Sequence, residues 1–296
     1  MNINDLIHTM QLYGLHINAN KLVFRNIGRC TTTRKIKDNN GWYIIFQNDA
    51  FITAFYGDHQ LGESFKWCSK QRLSKQEKLE QRANYLEYQK QMEHEKKIQL
   101  QNINQQYAQF KKLDRNKSYS YLLKKGIHSW LRCSQAEQLR SDKFGNIIMP
   151  IKNIDDKLYG YQIINSNGDK KFVFGTQKKG NFYLLIADCL KISDCHYLFI
   201  GEGLATMISW YLAMNEYLEN YHYACVVALD VGNIEPVLLQ LWQKFPDKSI
   251  TIIADNDCNS DKNIGVETCN KIKTKYQNKY KIDVFIPELN HEVAAS

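Results

Sequence analysis

Apolar and polar positions change rhythm several times along the chain, and each change predicts a different kind of element. Near the start Ile3, Leu6, Ile7, Met10 and Leu12 recur at helical spacing, and the pattern stops near Gly14. Strand-like runs follow at 21–25, 41–46 and 51–57, separated by the turn formers Asp38-Asn39-Asn40-Gly41 and Gln47-Asn48-Asp49. Residues 1–70 therefore read as a small α+β module with an antiparallel sheet. From about Leu73 to Leu113 glycine and proline vanish, and Gln, Lys, Glu and Asn dominate. Ser74-Lys75-Gln76-Glu77 opens this stretch as a capping box, and apolar residues recur at Leu79, Ala83 and Leu86 and again at Ile103, Tyr107 and Phe110. The heptad pattern lapses between Tyr88 and Ile98, so residues 71–113 predict a helical linker, either one long helix or a broken pair, rather than a coiled coil.

Residues 114–195 carry the segment Ser118 to Ile127 and then apolar runs at 146–151, 158–164 and 169–175, the last two joined by the hairpin signal Asn167-Gly168. Residues 196–296 read differently again. Apolar runs at 197–200, 225–229 and 250–254 are each followed by a helical pattern, from Leu204 to about Tyr217, to near Lys244, and from about Ile264 to Tyr276. Such alternation predicts a parallel sheet, since parallel strands need crossover helices and bury both faces. In these sheets ligands bind outside the carboxyl ends of the strands, which places Glu202, Asp230, Asp255 and Asp257 on one rim. Carboxylates that close together repel unless a cation sits among them, and hard oxygen donors suit Mg²⁺ or Mn²⁺. An acidic residue that ends a strand is more often just a helix cap, and Asp230 taken alone reads better as that.

A Glu in a strand-turn-helix, Gly201-Glu202-Gly203-Leu204-Ala205-Thr206, paired with a later Asp255-Asn256-Asp257 after a strand, resembles the TOPRIM domain shared by bacterial primases, topoisomerases and some nucleases. The segment 228–234, with Asp230 and Asn233, resembles the one between the two acidic motifs of plasmid- and phage-borne primases. The runs upstream, in their order, resemble the basic N-terminal lobe of the primase catalytic core. Asn40-Gly41-Trp42-Tyr43, Gly57-Asp58 and Trp67 resemble the N-terminal module of certain plasmid primase-like proteins. The resemblance implies a TOPRIM parallel-sheet lobe (196–296) preceded by a mixed α/β basic lobe (114–195), the helical linker and the N-terminal module. It implies synthesis of short RNA primers on single-stranded DNA from NTPs, with Glu202, Asp255 and Asp257 catalytic and, with Asp230, metal-binding. It further implies that Lys125, Lys170 or Lys171, and Asn233 contact nucleic acid or nucleotide, with Lys standing where the family has Arg at the first of these positions.

Two departures accompany the resemblance. No further Asp motif follows the run at 282–287, and no phosphate-loop signature of a helicase is present, so either the sequence is a fragment or a replicative helicase is a separate partner. A TOPRIM nuclease and a non-catalytic nucleic-acid-binding module remain as alternatives. A topoisomerase is disfavoured for want of room for the domain that carries an attacking Tyr. A calcium loop over 255–266 fails, because its sixth and twelfth positions are Ser260 and Val266. A response-regulator-like sheet leaves both the Glu202 turn and the basic lobe unexplained.

Composition narrows the picture without redrawing it. The 296 residues carry a net charge of +8, unevenly spread: residues 72–125 hold 13 basic against 6 acidic side chains, and 188–288 hold 9 against 14. A basic region beside an acidic one fits a protein that grips a polyanion and does metal chemistry nearby, although a solvated helical face accounts for part of the basic run. Arg25, Arg29, Arg34, Lys35 and Lys37, interleaved with Trp42, Tyr43, Phe55 and Tyr56, form either a single-strand contact surface or simply the module's core and rim. The 8 cysteines include no Cys-x-x-Cys pair, which disfavours a zinc site and favours reduced structural thiols. No window approaches a membrane span and the N-terminus lacks a signal-peptide pattern, so a cytoplasmic location with no membrane partner is expected.

Overall fold

A computed structural model of the chain describes residues 2–33, 39–59, 61–187, 190–218, 221–255 and 263–287. They group into two compact units that divide between Ile98 and Gln99. In the first, α1 (Ile3–Leu12) starts from a capping box in which Asn2 accepts from the Asn4 and Asp5 N–H groups and Asp5 accepts from that of Asn2. An antiparallel meander follows in spatial order: β1 (Leu15–His16), β2 (Gly28–Thr32), β3 (Gly41–Gln47), β4 (Ile52–Asp58) and β5 (Glu63–Cys68). The strand expected at 21–25 does not form. Arg25 takes a left-handed φ of 59°, which interrupts extended backbone, and only Phe24 bridges to Ile45.

Strands β3 and β4 are buried on both faces. Tyr43, Ile45, Ala54 and Tyr56 pack toward α1, while Trp42, Ile44, Phe46 and Phe55 pack toward Tyr88 and Met92 of α2 (Lys75–Gln109). Tyr88 stacks on Phe55 at 4.5 Å and on Trp42 at 5.6 Å. This settles the reading of the four aromatics: Trp42, Tyr43, Phe55 and Tyr56 are each no more than 3% exposed and form core, with no face left for a nucleic-acid base. Arg34, Lys35 and Lys37 lie outside the described residues.

Helix α2 is continuous and begins with the expected capping box, Ser74 Oγ accepting from Glu77 N–H and Glu77 accepting from Ser74 N–H at 2.8 Å. Its lapse in apolar rhythm has a physical reason. Residues up to Met92 cover the N-terminal sheet, whereas Ile103, Tyr107 and Phe110 join a separate cluster with Ile148 and Tyr161. A helix that serves two cores in turn need not keep one stripe.

The polar end of the first unit holds Arg29 paired with Glu95, and His59 with its ring 6.0 Å from that of Trp42. Burial pushes the His59 imidazole down to about 4; Arg29 adds to this, Asp58 opposes it and Lys96 adds again. The unfolded chain binds that proton near 6.5, so stability is fully present above that pH and is lost as pH falls from there toward 4. Urea titrations at pH 7 and pH 5 should therefore differ by about 1–2 kcal/mol, a difference that the His59→Gln variant removes. Equal pH dependence in the two proteins would refute the assignment.

The second unit carries two sheets. One is an antiparallel meander of β6 (Lys111–Lys112), β7 (Arg140–Ser141), β8 (Ile147–Lys152), β9 (Leu158–Ile164) and β10 (Lys170–Phe172), with α3 (Ser120–Lys124) inserted after β6. The other comprises β11 (Tyr183–Ile186), β12 (Tyr197–Gly201), β13 (Tyr223–Val227), β14 (Ile250–Ile253) and β15 (Ile282–Phe285), in the order β11-β13-β12-β14-β15. All its pairings are parallel except that of β11 with β13. Strand β11 falls within the preceding lobe by sequence, yet it closes this sheet. Helix α4 (Leu204–Tyr217) packs on one face together with α3 and β8, and α5 (Val231–Lys244) and α6 (Ile264–Tyr276) pack on the other. The basic and acidic lobes thus share a core: Trp130, Leu131 and Met149 pack in the same cluster as Met207, Val227 and Ile253.

Candidate active site

The connections of the parallel sheet reverse direction at its centre. From β12 the chain crosses through α4 to β13 on one side; from β14 it crosses through α6 to β15 on the other. Adjacent strands whose loops leave in opposite directions open a crevice at their carboxyl ends, the usual ligand position in such sheets. Register fixes what stands there. Gly201 pairs with Ile253, so Glu202 follows one residue, and Asp255 two residues, past this pair on neighbouring strands. Gly201 itself is required by packing, because a Cβ there would collide with the Met207 sulfur and meet the Ile253 carbonyl at 3.1 Å.

Behind this rim lies Cys269. Burial pushes its thiol up to about 11, and the charges of Asp255 and Glu202 add to the shift, so both carboxylates act on the same spot. Among the described residues no three His, Cys, Asp or Glu side chains stand close enough to hold a metal ion. Asp257, the expected third acid, lies outside the described residues.

In front of the rim is a pocket of about 260 Å³ lined by Tyr121, Lys125, Asn167, Gly168, Lys170, Gly203, Ala205, Thr206 and Asp255. Each wall has a local cause. Lys125 is the C-cap of α3. The β9–β10 hairpin turns at Asn165, whose side chain accepts the N–H groups of Asn167 and Asp169, and Gly168 takes the φ of +93° that this turn demands. Gly203 is the N-cap of α4 and contributes no capping side chain. A Cβ built on it would lie 3.6 Å from Lys170 Nζ and 3.8 Å from Asp255 Oδ2, which places an ammonium and a carboxylate beside that helix end. Burial raises the Tyr121 phenol pKa; the Ala205 N–H that donates to it opposes this, and Asp255 adds to it, so the hydroxyl stays protonated. The pocket joins two ammonium groups and the positive end of a helix to one carboxylate, an arrangement that attracts phosphate and its counter-ion together.

The remaining expected residues divide. Lys171 alternates with Lys170 along β10 and is not among the residues lining the pocket. Asp230 caps α5, accepting from Asn233 N–H at 3.0 Å, and pairs with Lys178. Asn233 is 2% exposed, and its amide is occupied inside the fold: Oδ1 accepts from Gly180 N–H at 2.7 Å, and Nδ2 donates to the carbonyls of Asn181 at 2.9 Å and Ala228 at 2.8 Å. Just before Asp230, Leu229 adopts a left-handed φ of 80°, uncommon for a bulky residue, and its N–H reaches the Glu202 carbonyl at 3.0 Å. Tyr121, Thr206 and Lys178 were not expected at the site. Their approach depends on how the meander and the parallel sheet pack, which no local pattern encodes.

No known family profile matches the chain. Two curated sequences do, both named DNA primase TraC and both from Escherichia coli. One is 34% identical over 110 residues, 37% of this chain and 10% of that protein. The other is 29% identical over 206 residues, 68% of this chain and 13% of that protein. Among solved structures, the primase fragment of the bacteriophage T7 primase-helicase protein aligns with 61% of this chain and 70% of its own at 11% identity, with a TM-score of 0.39. The bacteriophage T7 primase domains bound to an RNA/DNA hybrid and dTTP, with the lagging-strand DNA polymerase, align with 61% of this chain and 81% of theirs at 12% identity, with a TM-score of 0.36. By sequence the chain is thus similar to DNA primases of the plasmid-borne type over most of its length, and it spans roughly a tenth of theirs.

Proposed function

We propose that this chain is the catalytic part of a DNA primase that synthesises short RNA primers on single-stranded DNA from NTPs, in plasmid or phage replication. The observation that carries the reading is the placing of Glu202 and Asp255 just past the carboxyl ends of adjacent parallel strands, at the sheet's reversal point, with Asp255 in one small pocket with Lys125 and Lys170. Similarity to DNA primase TraC supports it. The parallel sheet with its Glu-bearing turn corresponds to the TOPRIM lobe, and the meander with α3 to the basic lobe before it.

The donor set fits a hard divalent cation, since Asp255 lines the pocket and the charges of Glu202 and Asp255 both reach Cys269 behind it. Glu202 and Asp255 would hold Mg²⁺ or Mn²⁺, with Asp257 the third ligand. Such an ion neutralises triphosphate charge and acidifies the primer 3′-hydroxyl. Lys125, Lys170 and the positive end of α4 hold the phosphate oxygens. Glu202 receives the hydroxyl proton as the 3′ oxygen bonds to the α-phosphorus and pyrophosphate leaves. Asp230 acts by fixing α5 and Lys178, and Asn233 by fixing the backbone behind Glu202, as positioning residues rather than ligand contacts. Single-stranded DNA and NTPs are the partners this reading requires, and a separate replicative helicase is one further candidate beside a helicase on the same longer chain. No helix among the described residues is long and apolar enough to cross a membrane.

Incubation with single-stranded DNA, labelled NTPs and Mg²⁺ or Mn²⁺ tests the proposal. Short labelled oligonucleotides are expected; shortening of the DNA without synthesis would point to a nuclease instead. The two neighbouring lysines give a sharper check. A lost charge-assisted contact is worth about 1.5–3 kcal/mol, so Lys170→Ala should raise the KM for NTPs by about 10-fold or more, whereas Lys171→Ala should stay within about twofold. Equal effects of the two substitutions would remove Lys170 from the pocket.

A further inference from the structure

At the opposite edge of the meander from Lys170 is a larger cleft, about 960 Å³, that the proposed chemistry does not use. Strand β6 forms one wall with Lys111 and Lys112, the 114–119 loop adds Lys117, and the β7–β8 hairpin adds Lys143 and Phe144. Both loops are held in place. Asp114 N–H donates to the Tyr119 hydroxyl at 2.9 Å and Asp114 Oδ1 accepts from Asn116 N–H. Asp142 Oδ1 accepts from the Phe144 and Asn146 N–H groups, each at 2.9 Å, its Oδ2 accepts from Asn146 Nδ2 at 2.7 Å, and Gly145 turns at a φ of +79°.

This bonding decides the charge of the cleft. Its two acids, Asp114 and Asp142, are turned onto loop N–H groups, and Glu137 takes Lys112 and Arg115. Among the described residues Lys111, Lys117 and Lys143 have no carboxylate partner. At the hairpin tip Phe144 is 76% exposed, with the Lys143 ammonium 5.0 Å from its ring centre. A large aromatic held at a rigid tip, beside cations spaced along a groove, matches what an unpaired strand offers: base faces to stack on and phosphates to neutralise. A duplex keeps its base faces covered and has no use for the ring.

We infer that this cleft is a second, non-catalytic binding site for single-stranded nucleic acid, with Phe144 stacking on one base and Lys111, Lys117 and Lys143 holding the backbone. The inference rests on the primase reading for the strand's source, the DNA template. Fluorescence anisotropy of the full chain with a labelled oligothymidylate and with a duplex of equal length tests it, alongside the synthesis assay. Phe144→Ala should weaken single-strand binding about 10-fold, Phe144→Trp should restore it, and duplex binding should not change. Lys111→Ala with Lys117→Ala should flatten the slope of log affinity against log salt by about 1–1.5. In synthesis, Phe144→Ala should raise the template concentration for half-maximal rate and leave the rate at saturation unchanged. Parent-like single-strand affinity in both variants overturns the cleft while leaving synthesis intact. Absence of synthesis by the parent, with Phe144-dependent binding kept, overturns the primase reading alone.

Discussion

Asp255→Asn is expected to lower template-directed incorporation by at least about 100-fold while single-strand affinity stays at the parent's level. The substitution keeps the shape of the side chain and removes only its charge. Asp255 contributes one of the carboxylates at the sheet's reversal point and stands with Lys170 beside the end of α4. Without it the triphosphate meets the two lysines but lacks the acid that would hold its counter-ion, so bound nucleotide is no longer brought to reaction. Product formation at saturating NTP and Mn²⁺ measures this, and a variant that retains more than a tenth of the parent rate would exclude Asp255 from the chemistry.

Asn233→Ala is expected to be the most destabilising polar substitution in the second unit. It leaves the Gly180 N–H and the carbonyls of Asn181 and Ala228 without the partner that the amide supplied, inside the fold. Orphaned buried groups cost about 1–3 kcal/mol each, so a total of about 3–5 kcal/mol is expected. For a unit of this size that corresponds to a fall in Tm of roughly 6–20 °C. Thermal denaturation followed by circular dichroism checks it. A residue that merely touched nucleotide would instead raise KM and leave Tm in place.

The contrast between these two residues shows what a sequence carries. Asp255 was legible because its position depends on short-range features: an apolar run, an acid at its end and a helix after it, all within one crossover unit. The parallel strands β12, β13 and β14 were legible for the same reason. Asn233 was not, since its partners Gly180 and Asn181 lie some fifty residues away and become neighbours only when β11 closes the sheet. That edge strand was itself invisible as part of the sheet, being short and set apart from the repeating strand-helix units. The sequence left Lys170 or Lys171 open; alternation along β10 puts them on opposite faces, and which face meets the pocket follows from the packing of the meander. In the first unit, strands buried on both faces hid the choice between core and surface for Trp42 and Phe55. Helix α2 made that choice by laying Tyr88 over them.

The central place of β12 bears on how the site spends its interaction with a ligand. Glu202 leaves a strand flanked on both sides, and its carbonyl is held by the Leu229 N–H in a backbone conformation that L residues rarely adopt. Its main chain therefore has little conformational entropy left to lose. A ligand that engages this acid meets a group already ordered, and its attraction goes into affinity and rate instead of into immobilising the protein.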